Sequence, residues 1–409
     1  MTYRPAGEGL HDQMTQLPET MPSLPQYGTA ALPDLASSLL AALGVPGAAN
    51  PLGLRPAERI CLLVIDGLGW ELLREYPAAA PFLSELAVTG RTLTAGFPAT
   101  TATSLTSLGT GLSPGQHGML GYQVAVPGTG RLLNALRWDK QVDPLAWQPG
   151  ETVFERAAAA GIGAFRVAQS SLQRTGLSVA AMRGAEYFGA DTLGALVAEG
   201  AAALRRRDRA LAMVYHGDLD STGHVWGCGS DAWRYHLGHV DKLAEQLAGA
   251  LPPGTILYIT ADHGMVDIAP QDKIDADALP ALRAGVALLG GEPRARHVYA
   301  EPGAAADVLD AWRAVLGPRA WVAARDEAIA DGWFGPVEPA MEARIGDVVA
   351  AMAGSWALVA TTTEPRESAL AGMHGSLTPA DQAVPLLAWP PDTDGSGLQR
   401  WPADGAGSR

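Results

Sequence analysis

Ile60-Cys-Leu-Leu-Val-Ile-Asp66-Gly67 is a short apolar run that ends abruptly in a carboxylate and a glycine. Apolar and polar residues do not alternate within it, which is typical of a strand buried on both faces of a parallel sheet. Asp-Gly is also a common turn sequence. The segment therefore predicts a buried parallel strand with a polar loop at its carboxyl end.

The same order of apolar run and polar loop recurs along the chain. Further runs of this type lie at 164–168, 211–215, 256–260, 356–361 and 384–389. Segments with helical spacing of apolar residues lie between them, notably at 152–160, 192–206 and 235–251. This alternation predicts an α/β fold with a mostly parallel central sheet flanked by helices. In such sheets, ligands bind beyond the carboxyl ends of the strands.

The pattern changes between about residues 275 and 344. Short strands are predicted there at 297–300 and 320–324, around a helix at 304–316. We interpret 275–344 as a small inserted cap subdomain.

The remaining sequence divides around this insertion. Residues 56–274 and 345–395 are predicted to form the core. Residues 1–55 are predicted to be an N-terminal extension and linker, and 396–409 a flexible tail. A second insertion, 121–150, carries aromatic and basic residues and is expected to line the substrate entrance.

Composition limits the range of functions. The 409 residues include 29 basic and 43 acidic side chains, giving a net charge of −14. Such a charge argues against a nucleic-acid polymer as partner, because tracking its phosphates requires many basic contacts. The two cysteines, Cys61 and Cys228, do not suggest a disulfide framework. Neither a signal peptide nor a long apolar span is recognisable, so we expect a cytoplasmic protein without membrane contact, of unknown oligomeric state.

Carboxylates and imidazoles occur where a metal site would need them. Asp262 and His263 follow the run at 256–260, and Asp66 ends the run quoted above. Asp220 and His224 are four residues apart, so they share a face if the segment is helical. Each pattern alone also fits a helix-capping aspartate, a turn carboxylate or a surface pair. Together they suit two divalent cations.

His374 extends this set. It lies in a loop ahead of the last apolar run, where it could complete a site that otherwise has only Asp220 and His224. A lone histidine in a loop is more commonly just exposed. His216 and Asp218 crowd the same segment and are alternative ligands.

A hydroxyl-rich stretch offers a nucleophile. Gly96-Phe-Pro-Ala-Thr-Thr-Ala-Thr-Ser-Leu-Thr-Ser-Leu-Gly-Thr-Gly-Leu112 places many Thr and Ser residues at the start of a helical pattern. Helix capping accounts for one or two of them. A hydroxyl at a helix N-terminus faces backbone N–H groups that stabilise an alkoxide and a phosphate. We place the nucleophile near Thr101, with Thr100, Thr103 and Ser104 as alternatives, and predict a metallohydrolase of phosphoryl esters.

These segments resemble a known family. Phe97-Pro-Ala-Thr-Thr101, followed by Gly111-Leu-Ser-Pro114 and His117-Gly118, is similar to the nucleophile segment of the alkaline phosphatase superfamily, in its nucleotide pyrophosphatase/phosphodiesterase branch. Phosphonoacetate hydrolases are related to that branch. The resemblance extends from Arg59 to about Trp389. It implies an alkaline-phosphatase-like α/β core with two zinc ions.

The resemblance also implies roles for individual residues. Thr101 corresponds to the nucleophile. One zinc ion would be held by Asp220, His224 and His374. The other would be held by Asp66, Asp262, His263 and the Thr101 oxygen.

One position departs from the family pattern. The family has an asparagine after the His-Gly pair that donates to a non-bridging phosphoryl oxygen, whereas this chain has Tyr122 at that position. A phenol can donate the same hydrogen bond only if the backbone adjusts to its length. Tyr122 is therefore predicted to bind substrate, with consequences for substrate choice and rate.

The sequence thus predicts a metal-dependent phosphodiesterase or nucleotide pyrophosphatase that acts through a phosphothreonine intermediate on a small phosphate ester or nucleotide-type substrate. Phosphomonoesterases and phosphonoacetate-type phosphonate hydrolases remain alternatives, because these relatives share the metals. A catalytically silent protein that binds a phosphorylated ligand is an alternative of another class. The complete ligand set together with Thr101 argues against it.

Overall fold

The computed structural model describes residue 18 and residues 20–391. The predicted tail, 396–409, lies outside the described residues, as do residues 1–17 and 19 of the predicted N-terminal extension. The strands are β1 (Arg59–Ile65), β2 (Arg91–Thr94), β3 (Gln123–Val126), β4 (Arg131–Asn134), β5 (Gly163–Ala168), β6 (Glu186–Gly189), β7 (Ala210–His216), β8 (Thr255–Thr260), β9 (Val266–Asp267), β10 (Lys273–Asp275), β11 (Val286–Glu292), β12 (Ala295–Ala300), β13 (Ala320–Ala324), β14 (Val348–Met352), β15 (Ala357–Val359), β16 (Gly372–Met373) and β17 (Ala383–Trp389).

Helices connect most of these strands. They are α1 (Leu32–Ala42), α2 (Trp70–Glu75), α3 (Pro81–Ala87), α4 (Thr101–Thr110), α5 (Pro114–His117), α6 (Pro144–Trp147), α7 (Val153–Ala159), α8 (Gly176–Met182), α9 (Leu193–Arg205), α10 (Asp218–Trp226), α11 (Asp231–Ala250), α12 (Pro280–Arg283), α13 (Ala305–Leu316), α14 (Arg325–Ala330), α15 (Pro365–Ser368) and α16 (Pro379–Gln382). None of these helices has both the length and the apolar character needed to cross a lipid bilayer.

The central sheet has seven strands in the order β2-β17-β8-β1-β7-β5-β6. The strands β8, β1, β7, β5 and β6 run parallel to one another, whereas β17 is antiparallel to both β8 and β2. Helices α3, α7 and α9 pack against its strands. The predicted α/β fold with a mostly parallel, helix-flanked sheet is confirmed.

The strand β1 lies at the centre of this sheet because it is apolar on both faces. Every residue from Ile60 to Ile65 is buried. Its register places Val64 opposite Thr260 of β8, and Ile65 opposite His216 of β7. The three strands therefore end at the same level, and the loops that follow them meet beyond one edge of the sheet.

One predicted strand has a different place. The run at 356–361 was expected in the central sheet, but β15 pairs in parallel with β10 in a separate two-stranded sheet. Ala357 and Val359 pack there with Ile268 and Met373. A short apolar run indicates burial but not the partner strand, which is set by contacts distant in sequence.

The N-terminal segment contributes to the main core. Helix α1 lies within the predicted extension and linker, yet Leu32, Leu35 and Leu40 are fully buried in the main hydrophobic cluster. The helix packs against α4, whose first residue is Thr101. The described part of this segment therefore supports the helix that carries the predicted nucleophile.

A second, smaller sheet lies in the predicted insertion. Its strands are antiparallel in the order β11-β12-β14-β13, and Trp312 and Leu316 of α13 lie in its own apolar cluster. The small sheet includes Val348–Met352, which lies beyond the boundary predicted at residue 344. An apolar strand has the same sequence pattern in either sheet, so the pattern alone does not assign β14 to one of them.

A buried ion pair joins the small sheet to the central core. Arg294, between β11 and β12, donates from Nε and Nη2 to the Asp381 carboxylate at 2.9 and 2.8 Å. Both side chains are fully buried. Arg294 also donates to the carbonyls of Trp356 and Gly354. The bidentate contact fixes the turn after β11 relative to α16.

Replacing Arg294 with methionine is expected to lower the free energy of unfolding by about 3–5 kcal/mol, because the buried Asp381 side chain would lose its cationic partner. Urea denaturation measures this difference. Arg313→Met is the matched control: Arg313 pairs with Glu327, and both side chains are close to half exposed, so the loss should be about 0–1 kcal/mol. Equal losses in the two variants would contradict the assigned role of the buried pair.

Candidate active site

Three predicted site residues leave the central sheet at the ends of adjacent strands. Asp66 comes directly after β1, and Asp262 and His263 come shortly after β8. All three are buried. The Gly67 N–H donates to Asp262 Oδ1 at 3.1 Å, which joins the two turns. Parallel pairing of β1 with β8 is what brings these acidic and imidazole side chains together.

Thr101 lies against this group. It is the first residue of α4, and its Oγ1 is 3.2 Å from His263 Nε2. The same nitrogen is 3.3 Å from Asp66 Oδ1 and 3.6 Å from Asp262 Oδ2. A hydroxyl, an imidazole and two carboxylates thus approach one another. Because Thr101 opens the helix, its hydroxyl also lies beside the free N–H groups of the first turn.

A second group adjoins the first. Asp220 and His224 lie one turn apart on α10, with His224 Nε2 3.3 Å from Asp220 Oδ2. His374 follows β16, and its Nε2 is 3.8 Å from Asp220 Oδ1. The rings of His374 and His263 stack with centroids 3.6 Å apart. All seven side chains predicted to bind metal therefore lie in one region.

Backbone carbonyls orient the three histidines of these groups. The Nδ1 atoms of His224, His263 and His374 lie 2.7, 2.9 and 2.9 Å from the carbonyl oxygens of Gly372, Gly264 and Ala99, respectively. A neutral imidazole that donates from Nδ1 to a carbonyl presents its Nε2 lone pair on the opposite side, toward the neighbouring carboxylates. Metal-binding histidines are held in this way.

Buried oxygen atoms without partners support the same interpretation. Asp66 Oδ1, Asp220 Oδ1 and Asp262 Oδ2 accept no hydrogen bond within the described part of the chain. Burial raises the pKa of Asp220, and burial together with the charge of Asp66 raises the pKa of Asp262. Such carboxylates are costly to bury without positive charge nearby. The donor set therefore fits metal binding, and two groups within it, Asp220 with His224 and His374, and Asp66 with Asp220 and His263, have ligand atoms within 4.8 Å of one another.

The alternative ligands His216 and Asp218 lie in a separate cluster with His236. The Nε2 atoms of the two histidines are 3.0 Å apart, the ring planes differ by 5°, and the centroids are 5.3 Å apart. The rings therefore meet end to end in one plane, which is the geometry of an N–H···N hydrogen bond. Lone pairs directed at a common metal would converge at an angle instead.

Gly264 is required by close packing. A Cβ atom at this position would lie 1.9 Å from the carbonyl oxygen of Ala380, and one at Gly69 would lie 2.9 Å from the Gly264 Cα atom. The two segments that approach Gly264 are the turn after β1 and helix α16, which precedes β17. The glycine allows the Asp262 turn to approach these loops.

A pocket of about 330 Å³ opens beside the two groups of predicted metal ligands. Tyr122, which was predicted to bind substrate, is on its wall, and its hydroxyl donates to Glu367 Oε1 at 3.1 Å. Leu136 and Arg137, from the insertion at 121–150, also line it. The remaining lining residues are Thr100, Thr101, Asp220, Ser221, His224, Glu292, Pro293, Arg366, Glu367, Leu370, Met373 and His374.

Several pocket residues were missed by sequence reasoning. Glu292 comes from the end of β11, and Arg366 and Glu367 come from α15. For Glu292, the sequence predicted only that the region belongs to a cap subdomain, and it indicated no functional residue there. The segment containing α15 has no motif. Phe97 and Trp147 are buried and do not line the pocket; they pack against Phe334 and Arg344, respectively.

Comparisons with known proteins identify the family and related folds. The family model for type I phosphodiesterase / nucleotide pyrophosphatase matches residues 60–377. A search among curated proteins finds no match. Murine ectonucleotide pyrophosphatase/phosphodiesterase 5, as an inactive variant in complex with AMP, has a similar structure with a TM-score of 0.64 and 19% sequence identity, covering 80% of this chain and 87% of that chain. The human protein of the same name gives a TM-score of 0.61 at 18% identity, covering 81% and 87%.

The fold and the matched family define the class of protein as a phosphoric ester hydrolase with an alkaline-phosphatase-like core. The chain belongs to the type I phosphodiesterase / nucleotide pyrophosphatase family. Its resemblance to that branch of the superfamily is thereby confirmed.

Proposed function

We propose that this hydrolase depends on two divalent cations, most simply zinc, and uses Thr101 as its nucleophile. The observation that carries the proposal is the convergence of seven side chains whose buried Asp oxygens and imidazole Nε2 atoms are directed inward. Asp220, His224 and His374 would hold one ion. The other would be held by Asp66, Asp262, His263 and the Thr101 oxygen.

The chain's own residues account for positioning and bond formation. Thr101 Oγ1 attacks phosphorus in line with the departing oxygen, so that a phosphothreonine forms as the bond to that oxygen breaks. The N–H groups of the first turn of α4 would receive negative charge that develops on the phosphoryl group. Water then attacks the same phosphorus and restores Thr101. When bound, the zinc ions favour the ionised hydroxyl and stabilise the departing oxygen.

We propose a small phosphodiester or nucleotide-type substrate rather than a nucleic-acid polymer. The murine neighbour is described as a complex with AMP, and its inactive form carries a threonine-to-alanine substitution. At the pocket here, the exposed guanidinium groups of Arg137 and Arg366 have no ion-pair partner among the described side chains. They suit a phosphate remote from the one that reacts.

A cytoplasmic location stays a prediction from the sequence.

The same two arginines also favour a second candidate. Phosphonoacetate carries a carboxylate, which a guanidinium group binds in a bidentate manner. A phosphonate hydrolase is therefore the main alternative, ahead of a phosphomonoesterase.

Side-by-side kinetics test the proposal. Bis-p-nitrophenyl phosphate, p-nitrophenyl thymidine monophosphate, p-nitrophenyl phosphate and phosphonoacetate would be assayed with the same zinc-loaded protein. We expect kcat/KM for a diester to exceed that for the monoester by at least about tenfold, equivalent to about 1.4 kcal/mol in the transition state. Preference for the monoester or for phosphonoacetate would replace the diester assignment by the corresponding alternative. Turnover of none of them would favour the silent binding protein.

A further inference from the structure

Tyr215 is a buried tyrosine that contacts a predicted metal ligand, and the proposed function does not use it. It lies in β7 and pairs with Val64 of β1. Residues paired across a parallel sheet share a face, as do residues two apart along a strand. Tyr215 is therefore on the same side of the sheet as Asp66, which follows β1. Its hydroxyl donates a hydrogen bond to Asp66 Oδ2.

Asp66 and Asp262 are each hydrogen-bonded through one oxygen. Asp66 Oδ2 accepts from Tyr215, and Asp262 Oδ1 accepts from the N–H groups of Gly67 and His263, both at 3.1 Å. The other two oxygens, Asp66 Oδ1 and Asp262 Oδ2, have no hydrogen-bond partner among the residues that the structure describes. They lie 3.3 and 3.6 Å from the same atom, His263 Nε2. The hydrogen bonds thus leave one oxygen of each carboxylate close to a common point.

The two carboxylates differ in the kind of donor that orients them. Asp262 is held by backbone N–H groups, whereas Asp66 is held by a side-chain hydroxyl that a substitution can remove. Without that hydroxyl, the Asp66 carboxylate could rotate about its Cβ–Cγ bond. Metal binding would then carry the entropy cost of fixing it.

Close packing fixes the position of the Tyr215 hydroxyl. A Cβ atom at Gly217 would lie 3.1 Å from the hydroxyl oxygen and 3.4 Å from Cε1 of the ring. The ring therefore packs against the residue that precedes α10, the helix that carries Asp220 and His224. A tyrosine hydroxyl is neutral and able to donate at physiological pH. The contact with Asp66 therefore requires no unusual protonation state.

We propose that Tyr215 is a positioning residue that holds the Asp66 carboxylate so that Oδ1 binds a divalent cation. This inference rests on the proposed function, because it takes a cation bound by Asp66. It gives Tyr215 a role in metal affinity through Asp66, without contact between Tyr215 and the substrate.

Tyr215→Phe in the full chain tests the proposal, because it removes the hydroxyl and keeps the ring. Competition with a chelator measures the zinc dissociation constants of the zinc-depleted protein, and thermal unfolding checks the fold. We expect one zinc Kd to rise by about 10- to 100-fold, as is typical when a metal ligand loses its hydrogen-bond partner.

Tyr299→Phe is the matched control. Tyr299 is also buried, and its hydroxyl donates to the Arg344 carbonyl at 2.6 Å and accepts from the Ala125 N–H at 3.0 Å. None of these groups is a predicted metal ligand. The Tm should therefore fall in this variant, while its zinc Kd values should stay within about twofold of wild type.

A double-mutant cycle tests whether Tyr215 acts through Asp66. In an Asp66→Ala background, the carboxylate that the hydroxyl orients is already gone. Adding Tyr215→Phe to this background should therefore change the zinc Kd by no more than about twofold.

The outcomes separate this proposal from the proposed function. Tyr215→Phe with wild-type zinc Kd values would overturn the role of Tyr215 and leave the hydrolase assignment intact. So would an equal loss of zinc affinity in Tyr299→Phe, or with and without Asp66, because the hydroxyl would then act on the fold as a whole. A tyrosinate absorbance that zinc induces in wild type but not in Tyr215→Phe would also contradict it, since Tyr215 would then bind the metal directly.

The behaviour of wild type distinguishes the remaining cases. A wild type that binds zinc but turns over no substrate of the panel would contradict the proposed hydrolysis, and the zinc Kd values would still decide the role of Tyr215. A wild type that binds no divalent metal would overturn both the metal dependence and the role of Tyr215.

Discussion

Thr101→Ala is expected to lower kcat for the preferred phosphoryl ester by about 10⁴-fold or more, because removing a nucleophile abolishes the covalent route and leaves only positioning and charge stabilisation. The substitution removes the hydroxyl and the γ-methyl group at the start of α4, where Thr101 Oγ1 lies 3.2 Å from His263 Nε2. Steady-state kinetics give the change in kcat. Mass spectrometry of acid-quenched wild type should show a phosphorylated peptide containing Thr101 that is missing in the variant.

Neighbouring hydroxyls provide the controls. Thr103 is fully buried in α4 and does not line the pocket, so Thr103→Ala should leave kcat within about threefold if the variant folds, a change of less than about 1 kcal/mol in the transition state. Thr101→Ser keeps a hydroxyl and should retain part of the activity. Unchanged turnover in Thr101→Ala would mean that another hydroxyl is the nucleophile, with Thr100, which does line the pocket, as the first to test.

Removal of divalent metal is expected to abolish hydrolysis and to lower stability. With the ions gone, the buried carboxylates of Asp66, Asp220 and Asp262 repel one another at low dielectric, and the nucleophile loses the charge that activates it. Free zinc at about 1,000 times its Kd would stabilise the folded chain by about 4 kcal/mol per site. Dialysis against a chelator, followed by calorimetry and kinetics with and without added zinc, measures both effects.

Substitutions of predicted metal-binding residues test whether zinc binds at this site. His374→Ala should reduce the zinc content below two per chain, because His374 is predicted to complete the group with Asp220. His236→Ala is the matched control: its imidazole belongs to the separate hydrogen-bonded pair with His216, so the zinc content should not change. Freshly purified protein without any transition ion, together with zinc and manganese that neither bind nor activate, would contradict the metal-dependent mechanism.

Local sequence patterns determined much of the architecture. The continuous apolar run of β1 and its ending at Asp66 indicated a buried parallel strand followed by a polar loop, and β8 with Asp262 repeated the pattern. These predictions succeeded because a strand buried on both faces must be apolar throughout, whichever partners it has. The spacing of Asp220 and His224 was likewise sufficient to place them on one helix face, because helix geometry relates residues four apart.

Contacts between distant segments were decided only by the tertiary structure. The run at 356–361 has the apolar pattern of a central strand, but its partner is β10, since pairing depends on residues far away in the chain. Glu292 reaches the pocket because Gly375 and the Arg294–Asp381 pair hold the small sheet there, and no local motif encodes that approach.

The candidate active site likewise depends partly on local sequence and partly on tertiary structure. Sequence alone proposed the residue types and a resemblance that linked them, whereas the folded chain set His374 within 3.8 Å of Asp220 and turned each imidazole Nδ1 toward a backbone carbonyl. The physical reason is range: periodicity and turn chemistry act over a few residues, while the convergence of a site depends on strand register and loop packing across the whole core.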